Sequence, residues 1–433
     1  MGLLVLAAIL GVPVSAAAYG FLALVSGLQE WLFTDLPEAL GFDGAPRWWP
    51  LPLLALAGAL VGLTIRYLPG RGGHSPADGF KAGGVPSPSE LPGIAIAALA
   101  TLSLGAVLGP EAPLIALGAG LAGWALRLAR RDAPAQATAV VAAAGSFAAV
   151  STLLGSPLLG AFLLMEASGL GGPALGVVLV PGLVAAGVGS LIFTGLDAWI
   201  GLGTFSLSLP DVPPFARPDL AQFGWALVIG VVAAVVGITI RRLALALRPH
   251  VERRLLLVTP LVGLAVAALA IVYAEASGHG FTEVLFSGQD ALGPLIATSA
   301  DYSAAALALL VACKGLAYGA SLAGFRGGPV FPAMFLGAAG GIALSHLPGL
   351  PMVPGVAMGI GAMSVVMLRL PLTSVLLATL LLATDGLAVM PLVIVAVAVA
   401  YVASARFAPE PAPSPAASSA DDEPVEASPA PTQ

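Results

Sequence analysis

The sequence predicts an all-α polytopic membrane protein, an inverted-repeat bundle of tilted and broken helices. Three observations carry that class. The 433 residues are 58% apolar and 9% charged, with a mean hydropathy of +0.99. The chain holds 54 Gly and 37 Pro, more punctuation than a row of simple spans needs. Two short stretches half a chain apart also share one grammar. Gly109-Pro110-Glu111-Ala112-Pro113 and Gly328-Pro329-Val330-Phe331-Pro332 both open the frame Gly-Pro-x-x-Pro-x-x-x-Leu-Gly-Ala, which is identical at six of eleven positions.

The elements follow in order. Val14-Ser15-Ala16-Ala17-Ala18 has the form of a leader cleavage site. No positive charge precedes that apolar run and an acidic, aromatic segment follows it, so a first transmembrane helix is expected there. Apolar stretches at 51–65, 174–195, 223–240, 255–274, 304–313 and 387–404 are candidate spans, since a helix needs about 20 apolar residues to cross a core of roughly 30 Å. Those at 93–108, 113–126, 138–154, 157–167, 330–344 and 371–384 are shorter or interrupted by Gly and Pro. Short apolar helices are tolerated at membrane depth where they are buried in protein or line a watery cavity.

Two halves are expected, at 1–202 and 220–406, joined by a Pro-rich connection over 203–219 around Leu209-Pro210-Asp211-Val212-Pro213-Pro214. Pro157-Leu158 and Pro371-Leu372 each open an apolar helix about 40 residues beyond their own frame, which supports the repeat. Residues 407–433 read as a disordered acidic Pro/Ala/Ser tail. They carry five acids and no Lys or Arg, which leaves 17 basic and 23 − 5 = 18 acidic side chains in a near-neutral body. The basic clusters Arg127, Arg130, Arg131 and Arg241, Arg242, Arg248, Arg253, Arg254 are expected on the cytoplasmic side. They follow different numbers of apparent crossings in each half, which fits inverted topology. The single cysteine, Cys313, excludes an intrachain disulfide.

Glu111 is the strongest candidate for chemistry. It stands where a Gly-Pro turn hands over to a helix, in one of the most apolar neighbourhoods of the chain. A helix N-terminus presents unpaired N–H groups and partial positive charge, so it attracts anions. A carboxylate there is either a permanent cap or an occupant that leaves when protonated or displaced. Ionisable groups inside a membrane are functional by default. The second frame has Val330 and Phe331 instead of an acid, so its helix start is expected to stay free for an external anion. Arg326 and Lys314 add positive charge upstream; each has the alternative of pairing with an acid or snorkelling. In Gly72-Gly73-His74-Ser75-Pro76 the glycines let backbone amides approach an anion, and Ser75 offers a hydroxyl. The alternative is a plain Ser-Pro helix start. Glu166 is expected to serve as a structural partner for helix N–H groups or an arginine.

The three loops, in this order, resemble those of the CLC family of chloride channels and proton-coupled chloride transporters. That family carries Gly-Ser-Gly-Ile-Pro, then Gly-Lys/Arg-Glu-Gly-Pro, then Gly-x-Phe-x-Pro. Here Gly73-His74-Ser75-Pro76, Gly109-Pro110-Glu111-Ala112-Pro113 and Gly328-Pro329-Val330-Phe331-Pro332 stand for them. The segment from Gly155-Ser156-Pro157-Leu158 to Glu166 resembles the family's helix after its Asn-Ala-Pro-Leu-Ala-Gly pattern. The resemblance covers about residues 10–405 and points to a prokaryotic member without CBS domains. It implies an anion path inside each subunit of a homodimer in the cell membrane, with the tail in the cytoplasm. It further implies Glu111 as a gating glutamate, with Gly73, Ser75, Ala112, Val330 and Phe331 around the anion. Chloride or a similar small anion is the implied substrate, with protons as a candidate second one.

Several positions depart from the family pattern. Ser75 stands directly before Pro76. Pro329 has no N–H to donate, and Phe331 falls one place late. Ala167 occupies the position of the internal acid of proton-coupled members, and Tyr401 precedes the expected place of the late ion-coordinating tyrosine. A cation- or proton-coupled carrier using membrane carboxylates is the alternative; the helix starts at both frames would repel its cation. An enzyme is not expected, since there is no His-Glu-x-x-His pair and Ser75 and Ser146 lack a base partner. No cofactor, metal or nucleic-acid partner is expected.

Overall fold

The computed structural model describes residues 2–81, 84–169, 173–200, 215, 217–382 and 386–407. Most of the expected connection 203–219, and the tail beyond residue 407, lie outside the described residues. Sixteen α-helices are described. The first half holds α1 (Gly2–Glu30), α2 (Leu36–Ala39), α3 (Pro50–Tyr67), α4 (Leu91–Ser103), α5 (Glu111–Ala129), α6 (Ala135–Leu154), α7 (Pro157–Ser168) and α8 (Pro173–Ile200). The second holds α9 (Leu220–Arg253), α10 (Leu255–Ser277), α11 (Gln289–Ala297), α12 (Ala304–Gly324), α13 (Val330–Ser345), α14 (Met352–Leu368), α15 (Pro371–Leu381) and α16 (Gly386–Ala405).

Local chemistry sets many of these ends. Pro50, Pro157 and Pro371 stand at first helical positions, where a missing N–H costs nothing. Ser156 caps α7 by accepting from Leu159 N at 3.3 Å, and Ser303 caps α12 by accepting from Ala306 N at 3.1 Å. Asp219 and Gln222 form a reciprocal capping box at the start of α9. Gly155, Gly169 and Gly278 end α6, α7 and α10 in left-handed backbone that favours glycine.

Packing repeats along the chain. α5 packs on α6 as α13 packs on α14, and α6 on α8 as α14 on α16. Likewise α1 packs on α6 and α8, and α9 on α14 and α16. The N-terminal helix is therefore part of the bundle. The second glycine of each frame explains one such pair. A Cβ on Gly118 would come within 2.5 Å of the Gly145 carbonyl of α6, and one on Gly337 would strike the Gly359 carbonyl of α14. Only glycine lets these backbones touch, the usual small-residue contact of membrane helices.

Among the described residues nine helices are long and apolar enough to cross a membrane. They include α5 and α6, although the apolar stretches at 113–126 and 138–154 fall short of a span. The difference lies at the ends: Glu111 and Ala112 add a first turn to α5, and Ala135, Gln136 and Ala137 add one to α6. α4, α7, α13, α14 and α15 are the shorter apolar helices. α14 is buried along nearly its whole length and α13 over most of it, the setting in which short helices are tolerated.

Candidate functional site

The two Gly-Pro loops meet. Gly109 and Gly328 form an antiparallel bridge, with Gly109 N donating to Gly328 O at 2.8 Å and Gly328 N donating to Gly109 O at 2.6 Å. The bridge sets the starts of α5 and α13 side by side, with Pro113 and Pro332 each at the third position of its helix. Neither proline has an N–H, so the donors at each start are the first two residues: Glu111 and Ala112 on α5, Val330 and Phe331 on α13.

Glu111 is fully buried, and its carboxylate reaches across to α13. Phe331 N donates to its Oε1 at 3.0 Å. Its Oε2 is buried with no hydrogen-bond partner among the described residues. A Cβ on either Gly109 or Gly328 would strike the carboxylate, so both glycines shape its seat. The α13 start is therefore occupied, contrary to the expectation that it stays free for an external anion. The acid of one frame thus reaches a donor at the helix start of the other.

Side chains from α4 and α12 hold the loops crosswise. Thr101 of α4 accepts from Arg326 N at 3.2 Å, while Ser321 of α12 accepts from Val107 N at 3.1 Å. Tyr318, fully buried, donates its hydroxyl to Pro329 O at 2.8 Å. Sequence reasoning missed all three, although a hydroxyl in the helix end before each Gly-Pro frame was a readable signal. Tyr401 lies on α16 and is partly exposed, away from this group.

A cleft leads to Ala112 and Pro113. Gly72, Gly73, His74, Pro76, Lys81 and Arg326 are among its walls. Gly73 therefore lies where the sequence expects it. Ser75 is on the same loop but does not line the cleft, and it makes no side-chain cap bond to the turn that follows. Arg326 donates to the carbonyls of Arg71 (3.4 Å) and Phe325 (3.1 Å) and has no carboxylate ion pair among the described residues. Lys81 and Arg326 give the cleft positive potential.

Two further charged groups are structural. Lys314, fully buried in α12, donates to the carbonyls of Glu283 (2.9 Å), Val284 (3.2 Å), Leu285 (2.9 Å) and Phe286 (3.4 Å). Its Nζ also sits 4.4 Å from the Phe335 ring centroid. It has no carboxylate ion pair among the described residues; it clamps a loop that in turn bonds Gly105, through Phe286 N to Gly105 O at 3.2 Å. Glu166 caps α15, accepting from Leu372 N (3.0 Å), Thr373 N (2.8 Å) and Thr373 Oγ1 (2.6 Å).

Comparison with known proteins bears on the family and the fold. A family model described as voltage gated chloride channel matches residues 80–405. YfeO proteins of Salmonella paratyphi A and Salmonella typhimurium, provisionally named for ion transport, are each 30% identical over 353 residues, covering 80% of this chain and 81% of theirs. The crystal structure of a slow cyanobacterial Cl-/H+ antiporter superposes with a TM-score of 0.73 at 19% identity, covering 94% of this chain and 95% of that one. A CLC-type fluoride/proton antiporter does so with a TM-score of 0.65 at 20% identity, covering 94% and 96%. With three quarters of its length matched by the family model, the Glu111-bearing chain belongs to the voltage gated chloride channel (CLC) family.

Proposed function

We propose that this protein moves a small anion, chloride or a similar one, past Glu111. The anion takes the place of the carboxylate at the start of α13. The observation that carries this reading is the bond from Phe331 N to Glu111 Oε1 in a fully buried setting. A carboxylate held there by backbone N–H groups of a helix N-terminus stands in for a monovalent anion. Partial charges and neutral donors bind weakly enough to release what they hold. Loss of the Glu111 charge by protonation, or displacement by an incoming anion, opens the seat. Gly73, Ala112, Val330 and Phe331 flank the path, with Arg326 and Lys81 drawing anions into the cleft. Ser75 enters only if its loop turns.

Movement without proton exchange is the mode this geometry favours. Glu166 accepts three hydrogen bonds as a helix cap, and Ala167 beside it carries no acid. The same proposal includes two inverted halves, a homodimer with one path in each subunit, and a place in the cell membrane. A carrier binding a cation at Glu111 is the less favoured reading, because both helix starts direct positive charge at the site. The test is efflux of chloride and of fluoride from proteoliposomes, with pH recorded, for wild type and Glu111→Gln. Electrogenic efflux altered by Glu111→Gln without proton movement is the expected result. Proton movement driven by the anion gradient would make the protein an exchanger, and no anion flux in either protein would defeat the reading.

A further inference from the structure

Beyond the anion path, four arginines line one open pocket of about 560 Å³. Arg66 comes from the last turn of α3, Arg71 from the loop after it, Arg253 from the last turn of α9, and Arg254 from the residue before α10. The one acid on its wall, Glu252, bonds Arg248 Nε at 2.7 Å. None of the four arginines has a carboxylate ion pair among the described residues. Four arginines without a carboxylate partner on one wall give the pocket a positive potential that favours an anion.

The rest of the wall says what kind of anion. Leu255, Leu256 and Leu257 of the first turn of α10 line the pocket; Leu257 N donates to Arg254 O at 3.0 Å, while the first N–H groups of a helix have no acceptor within it. Leu256, Leu257 and Leu261 on α10, and Leu60 and Leu63 on α3, are exposed on spans long and apolar enough to cross a membrane. A polar, cationic pocket thus opens at the ends of two lipid-facing helices that pack on each other. Guanidinium groups bind phosphate oxygens in bidentate pairs, and basic pockets between membrane helices at the bilayer surface suit anionic lipid headgroups. We infer that Arg66, Arg71, Arg253 and Arg254 form a binding site for the phosphate of an anionic phospholipid, whose acyl chains lie along the exposed leucines of α10 and α3. The inference does not depend on the anion path, and its readout requires no flux.

The test is native mass spectrometry of the purified full-length protein, with phosphatidylglycerol and phosphatidylcholine of identical acyl chains added in turn. Wild type should retain phosphatidylglycerol at least tenfold better than phosphatidylcholine. Arg66→Gln/Arg254→Gln should lose that preference while eluting as wild type on size exclusion, and Arg66→Lys/Arg254→Lys should keep most of it. Equal retention of the two lipids, or an undiminished preference in the glutamine variant, would overturn the inference. Inorganic phosphate binding as tightly as the lipid would also overturn it, since the leucines would then contribute nothing.

Discussion

Gly109 and Gly328 hydrogen-bond each other in both directions across the two halves of the chain, at 2.8 and 2.6 Å. This bridge sets the two helix starts side by side, so that the Glu111 carboxylate on one reaches a donor of the other. Each glycine is also required by space, because a Cβ on either meets the carboxylate of Glu111. Gly328→Ala should place a methyl where the carboxylate or an entering anion sits. We expect anion efflux to fall tenfold or more in that variant, measured in proteoliposomes against Ala338→Gly, a small-residue change beyond the site.

Protonation of Glu111 removes the negative charge that competes for the α13 donors. Anion efflux should therefore rise as pH falls in wild type. In Glu111→Gln, which is neutral at every pH and nearly the same shape, efflux measured across pH 4.5–8 (about the range such liposomes tolerate) should be flat.

Glu166 accounts for three donors at the start of α15. Glu166→Ala strips that cap, and loss of a helix cap costs about 1–2 kcal/mol. The expected outcome is a lower thermal unfolding midpoint in detergent, with an unchanged ratio of proton to anion movement.

Lys314 satisfies four carbonyls in a dry interior. Lys314→Met keeps the length and packing of the side chain but leaves those carbonyls unpaired, a loss of about 1.5–3 kcal/mol by the usual cost of bonds to charged groups. Thermal unfolding should shift downward, and amide hydrogen exchange should rise first in residues 283–286.

The fold class was legible because hydropathy and Gly/Pro placement are written residue by residue. The Gly-Pro frames marked the starts of α5 and α13, and Pro157 and Pro371 marked those of α7 and α15. Glu111 was legible as a lone acid in an apolar run. What the sequence hid was reach across the chain. Nothing local says that the Glu111 carboxylate fills the helix start 220 residues away, or that Lys314 turns to carbonyls rather than to an acid. The crosswise supports Thr101 and Ser321 were hidden for the same reason, since their partners lie 225 and 214 residues away. Of the loop around Ser75, its neighbours Gly73, His74 and Pro76 line the cleft.

Competition between the Glu111 carboxylate and an anion for the α13 start is the central claim, and calorimetric titration of chloride and fluoride tests it most directly. Purified wild type and Glu111→Ala would be titrated at the same pH and ionic strength. Removing the competing carboxylate should tighten binding of at least one anion severalfold. Equal or weaker binding in Glu111→Ala, in a protein that elutes as wild type, would contradict the claim.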